Sequence, residues 1–260
     1  MRGSDRSMTV EAESHSIAGE RRAGRWLVTC DHAANRVPDW VAGGDLGLPA
    51  ADMARHIAFD VGAAGLALAL AERLDSPAIL AGFSRLVIDP NRGEDDPTLV
   101  MKLCDGSVIP ANRHADAAEV ARRLDRLYRP YHAALARLAA RRPDRVILAV
   151  HSFTPCLRGR SPRPWHVGVL SGADRRLSEP LLARLRTVPG LCVGDNEPYG
   201  GHLPGDAIDL HAIGPGRLNT LVEVRHDLIA TAADQAAWAD RLAPLLEAAL
   251  ADATSRQSGG

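Results

Sequence analysis

Several things this 260-residue chain lacks narrow its chemistry at once. No apolar run approaches the roughly 20 residues that a membrane-spanning helix needs. There is no excess of charge: 31 basic and 32 acidic residues leave a formal net charge of -1. Without a field of one sign, nucleic acid and anionic membranes are poor partners. The four cysteines (Cys30, Cys104, Cys156, Cys192) show no paired spacing for zinc or redox work and suit a reducing cytoplasm. Neither common glycine-rich phosphate loop is present, which argues against nucleotide chemistry. The Gly-x-Ser-x-Gly elbow of a serine hydrolase and the compact His-Glu-x-x-His zinc motif are missing too. Residues 1–24 are polar, carry no signal-peptide core and read as a disordered leader. A disordered tail is expected from Ala251.

What is present is an apolar share of 46%, enough for one large α/β domain, expected over residues 25–250. Val146-Ile147-Leu148-Ala149-Val150 reads as a strand buried on both faces, as in a parallel sheet. It stops abruptly at His151-Ser152. Further strands are expected at 25–30, 77–81, 84–89, 165–170, 191–193 and 218–224. The spacing of Ile57, Val61, Leu66, Leu70 and Leu74 predicts a helix over 50–74. A second helix is predicted over 114–142, from the stripe Val120, Leu124, Leu127, Tyr131, Leu135 and Leu138, with a kink at Pro130. Shorter helices are expected at 178–186 and 231–250, and long loops at 93–113 and 194–216. Strands alternating with helices point to a three-layer α/β/α sandwich, hydrolase-like, around a mostly parallel mixed sheet.

Ten histidines are more than packing requires, and two of them end strands. In open α/β sheets ligands bind beyond the carboxyl ends of the strands. His32, His151 and the pair Glu223 and Arg225 all sit at such ends. A catalytic zinc commonly takes two histidines and a carboxylate and leaves one position for water. His32 and His151 fit the first two places. The third falls near the start of the first helix, where Asp60 is preferred over His56 and Asp52. Glu223 is the candidate proton carrier, and arginines would grip a carboxylate-bearing substrate. A nucleophile mechanism through Ser152, Ser84 or Cys30 is the alternative chemistry. Cys30 fits it poorly, because neighbouring strand residues point to opposite faces. His132 reads as structural, His166 as a core residue, and His15 and His114 as solvated. His202 and His211, in the second long loop, could either touch substrate or simply face water.

Cys30-Asp31-His32-Ala33, the run Phe83-Ser84-Arg85-Leu86-Val87-Ile88-Asp89-Pro90-Asn91-Arg92, His151-Ser152-Phe153 and Glu223-Val224-Arg225-His226-Asp227-Leu228 together resemble the N-formylglutamate amidohydrolase family. The likeness runs from about Trp26 to Leu250. It implies a fold similar to zinc exopeptidases and cell-wall amidases. It also implies one zinc per chain on His32, His151 and a helix-start carboxylate, with Glu223 as the catalytic carboxylate. Ser84, Arg85, Asn91 and Arg92 would then line the substrate side. Arg225 would orient Glu223 or bind a carboxylate, and His211 is added as a substrate contact. The expected activity is hydrolysis of a small N-acyl amino acid in amino-acid metabolism, with N-formyl-L-glutamate, a histidine-degradation intermediate, first. The alternatives are a zinc peptidase or cell-wall-fragment amidase, and a catalytically silent protein that binds an acidic ligand. The expected partner is a small acidic substrate, and the sequence leaves room for a homo-oligomer.

Overall fold

A computed structural model describes residues 8–11, 13–201 and 203–258. Among these, ten strands and six α-helices follow one another in chain order. They are β1 (Met8–Glu11), β2 (His15–Ala18), β3 (Trp26–Cys30), α1 (Ala50–Met53), α2 (Ala63–Arg73) and β4 (Ala78–Ala81). A small hairpin, β5 (Leu103–Cys104) and β6 (Ser107–Val108), precedes α3 (Ala117–Arg123) and α4 (Arg129–Ala140). β7 (Val146–Phe153), β8 (Val167–Leu170), α5 (Ser178–Leu185), β9 (Val193–Asp195), β10 (Asn219–Arg225) and α6 (Ala232–Ser258) complete the chain. The main sheet runs β1-β2-β4-β3-β7-β10-β8-β9. β4, β3, β7 and β10 are parallel, while β2 and β8 join this centre antiparallel.

Side chains of a strand alternate between faces, and here both faces are covered. Val146, Leu148 and Val150 pack with α2, α5 and α6, whereas Ile147 and Ala149 pack with Tyr131, Leu135 and Leu138 of α4. The sheet is therefore the middle layer of an α/β/α sandwich. No helix among the described residues is long and apolar enough to cross a membrane.

Four local expectations are corrected. The start is not a disordered leader throughout: β2 pairs with β4, and Ile17 is buried in the core. The tail from Ala251 continues α6 as far as Ser258, with Ala253 buried. The helix expected over 50–74 is broken after Met53 and resumes at Ala63. Gly62 (φ +80°) turns the chain there, and a Cβ at that position would lie 2.3 Å from the Ile229 carbonyl oxygen. Residues 84–89 form no strand; the segment is an irregular buried turn. Its carbonyls are taken by side chains instead of a neighbouring strand. Asn112 Nδ2 donates to Leu86 O (2.7 Å), and the buried Arg123 donates to Val87 O (2.7 Å).

The helix over 114–142 is interrupted as Pro130 suggests, by a π-turn over Leu124–Tyr128 just before it. A missing proline N–H is accommodated by such a widened turn. The expected start at His114 moves to Ala117, because Asp116 caps the helix through the Glu119 amide (2.8 Å).

The turn at Gly62 is a steric requirement. Gly62→Ala should therefore cost about 2 kcal/mol or more of stability, from left-handed backbone and the contact with Ile229. An unchanged urea midpoint would contradict that reading.

Candidate metal centre

Three parallel strands deliver the centre. β3 ends two residues before His32, β7 carries His151 near its end, and β10 carries Glu223 directly opposite His151 in register. In-register neighbours on adjacent strands point the same way, so Glu223 and His151 stand side by side on the α4 face. Asp60 comes from the broken stretch between α1 and α2. Its amide donates to the His32 carbonyl (2.9 Å), which ties that turn to the end of β3.

Ligand atoms of His32, Asp60 and His151 all lie within 4.8 Å of one another, and all three residues are buried. Asp60 Oδ2 is 2.9 Å from His151 Nδ1 and 3.4 Å from His32 Nδ1. The other nitrogen of each ring meets a further carboxylate. His32 Nε2 lies 2.7 Å from Asp89 Oδ1, and His151 Nε2 lies 3.5 Å from Asp31 Oδ2. Carboxylates behind imidazoles fix the tautomer and raise ligand basicity. Both Nδ1 atoms face the same Asp60 oxygen, so a cation placed among them would meet two imidazoles and a carboxylate.

The charges agree. Asp31, Asp60 and Asp89 are each buried, which alone would raise their pKa values, yet all are held below the ordinary range. The imidazoles of His32 and His151 do this at Asp60, the Arg85 guanidinium and His32 at Asp89, and His151 with Tyr131 at Asp31. Three aspartates thus gather about the half-buried Arg85 guanidinium, leaving an excess of negative charge when the imidazoles act as neutral ligands. A divalent cation matches that excess, so the donor set fits a metal such as zinc. Glu223 stands apart. Burial pushes its carboxyl up to about 7 against the pull of His151, and its Oε2 is buried without a hydrogen-bond partner.

With this geometry in place, comparison with known proteins is informative. The family model for N-formylglutamate amidohydrolase matches residues 24–230. The chain belongs to that family. A crystal structure of a gene product from Agrobacterium tumefaciens is 34% identical, covering 92% of this chain and 95% of that one, with a TM-score of 0.86. N-formylglutamate amidohydrolase from Ralstonia eutropha JMP134 shares the fold at 23% identity and a TM-score of 0.64, over 95% of this chain and 100% of that one. No curated protein matches the chain.

In this amidohydrolase-family chain the other expected site residues scatter. His56 and Asp52 lie outside the cluster: His56 faces Asp105 (3.5 Å), and Asp52 pairs with Arg55 (2.9 Å). Arg85 pairs with Asp89 (2.8 Å) and approaches Asp60 (3.6 Å), so it supports the centre from behind. Ser84 is buried, its hydroxyl donating to Ala58 O (2.7 Å). Arg225 pairs with Asp227 (2.8 Å) and donates to the carbonyls of Arg163 and Trp165, and forms no hydrogen bond to Glu223.

Asn91 and Arg92 follow Asp89 and are half-buried; the Asn91 amide donates to Asp89 Oδ1 (2.9 Å), and the Arg92 guanidinium forms no ion pair among the described residues. His211 is buried, with Nε2 2.8 Å from His132 Nδ1, and His132 in turn gives its Nε2–H to Pro90 O (3.0 Å). His15, expected in water, is buried. His202 lies outside the described residues. The nucleophile alternative gains nothing. Ser152 donates to Val61 O (2.8 Å), and burial, then Asp60 and Asp31, push the Cys30 thiol well up.

Sequence reasoning gave no role to Asp31, Asp89 or Tyr131. Tyr131 donates to Asp31 Oδ1 from the first turn of α4. A signal existed for Asp89, an acid closing the apolar run Leu86-Val87-Ile88, since a charge buried there must have partners. Tyr131 looked like one more member of an apolar stripe.

Two outcomes follow. Tyr131→Phe should weaken zinc binding by about tenfold, since loss of outer-shell support typically costs that much or more. Competition with a chelator measures it, and an unchanged affinity would sever Tyr131 from the centre. Burial alone would lower the pKa of His151, but Asp31 and Asp60 hold it well above the ordinary value. The metal-free ring therefore keeps its proton, which metal must displace. Calorimetry between about pH 6 and 8 should show affinity rising with pH and proton release on binding; pH-independent affinity would contradict this.

Proposed function

We propose that the chain is a zinc-dependent amidohydrolase that cleaves a small N-acyl amino acid. N-formyl-L-glutamate is the first substrate to test, with formate and L-glutamate as products. The observation that carries this reading is the convergence of His32, Asp60 and His151 beside a buried, unpartnered Glu223. Family membership supports the reaction class.

His32, Asp60 and His151 would hold the ion. Bound there, zinc supplies a more acidic water and a polarised amide carbonyl. Asp89 and Arg85 behind His32, and Asp31 and Tyr131 behind His151, keep the two rings aimed at one point. Glu223 takes the proton of the attacking water and returns it to the leaving nitrogen. A carboxyl near pH 7 can both accept and give a proton under physiological conditions, and burial puts Glu223 there. Asn91 and Arg92 face the substrate. A small acidic partner, a cytoplasmic location and a place in amino-acid breakdown belong to the same reading.

Purified protein should contain about one zinc per chain, as structural and catalytic sites of this ligand set do. His151→Ala should lose both metal and turnover, and equal zinc in that variant by elemental analysis would remove it from the ligand set. Glu223→Gln should keep its zinc while formate release falls by about 100-fold or more. Undiminished release would end the proton-carrier role.

A further inference from the structure

We propose that Arg163 sets substrate charge, pairing with the side-chain carboxylate of an acidic N-acyl amino acid; the assignment rests on the amidohydrolase reading above. A cavity of about 610 Å³ is lined by Val61, Thr154, His56, His226, Arg55 and Arg158 among others, and Arg163 is anchored to its wall through the Thr154 carbonyl. Its walls continue the segments that build the centre. Val61 follows Asp60, Thr154 follows β7, and His226 follows β10. The cavity's own arginines are already neutralised: Arg55 pairs with Asp52 (2.9 Å) and Asp105, and Arg158 with Asp52 (3.3 Å).

Arg163 is different. Among the described residues it pairs with no carboxylate. Its Nη1 donates to Thr154 O (3.1 Å) and to Tyr199 Oη (3.0 Å), while Nε and Nη2 have no hydrogen-bond partner there. The guanidinium is held 4.8 Å from the Tyr199 ring centre and 5.8 Å from that of Phe153, the residue two beyond His151 on β7. Its backbone is fixed as well: its amide donates to Pro155 O (2.8 Å), and Arg225 Nη1 grips its carbonyl (3.3 Å). Phe153 lies on the same face of β7 as His151, so the guanidinium over its ring stands on the side of the sheet that carries the centre.

A planar guanidinium with one edge anchored and the other open is suited to bidentate capture of a carboxylate. Arg225, which the sequence offered for that task, instead holds Arg163 in place. Arg92 and Arg163 would then take the two carboxylates of a dicarboxylic substrate from different sides.

The test compares N-formyl-L-glutamate with its neutral isostere N-formyl-L-glutamine in the zinc-loaded wild type, Arg163→Gln and Arg163→Lys. In Arg163→Gln the glutamate-over-glutamine ratio of kcat/KM should fall by about tenfold or more, chiefly through KM, with zinc content unchanged. Arg163→Lys should recover part of that preference. A ratio equal to wild type in Arg163→Gln overturns the proposal and leaves the hydrolase reading standing. If the wild type releases no formate, that reading fails by itself, and calorimetric binding of L-glutamate against L-glutamine still decides Arg163. Weaker glutamate binding in Arg163→Gln supports the assignment, and equal binding overturns it.

Discussion

Asp60 is a carboxylate buried between two imidazoles, where water cannot screen it, and the architecture around it follows from that. Removing a carboxylate from water costs far more than an isolated contact returns, so it persists only with partners on every side. Here they are the Nδ1 edges of His32 and His151, the Ser152 amide (3.3 Å) and, at the other oxygen, Arg85 (3.6 Å). Each partner is itself held by another group. The result is a connected set of buried charges with a surplus of negative sign, the condition under which a cation binds.

The sandwich supplies the support that makes this possible. Because β3, β7 and β10 are parallel, their carboxyl ends reach one rim, and because side chains alternate, Asp31, His151 and Glu223 face the layer containing α4. α4 answers with two consecutive residues. Tyr131 holds Asp31, and His132 holds the Pro90 carbonyl next to Asp89. A single helix therefore steadies the groups behind both imidazoles. The π-turn ahead of Pro130 changes the phase of the helix just before these residues; such turns recur at functional sites.

The division of labour among the arginines is also a packing result. Arg85 and Arg225 lie in the two most recognisable stretches, yet they are turned inward, to Asp89 and to Asp227 and the carbonyls of residues 163 and 165. Arg163, in a proline-broken loop that sequence alone marks only as basic, keeps an open edge beside the centre. Proximity in sequence to a functional residue did not predict which guanidinium stays available, because availability depends on where the nearest acids fall.

Residue order alone was sufficient for the layer architecture, since apolar runs of strand length alternate with helical stripes and both periods are local properties. It also singled out His32 and His151, because imidazoles that terminate buried strands stand out against apolar neighbours, and the fold brings the two rings together. It did not tell a strand from a buried turn at 84–89, where Asn112 and Arg123, distant in sequence, satisfy the backbone. It ranked Asp60 ahead of His56 and Asp52 but held no geometric reason for the choice, since all three lie within one helical-looking stretch. That choice was made by Gly62, whose left-handed turn against Ile229 ends the stretch and brings Asp60 under both imidazoles. Periodicity is written in neighbours along the chain, whereas the convergence of four carboxylates and two imidazoles depends on contacts between segments up to about 190 residues apart, which only the folded sheet brings together.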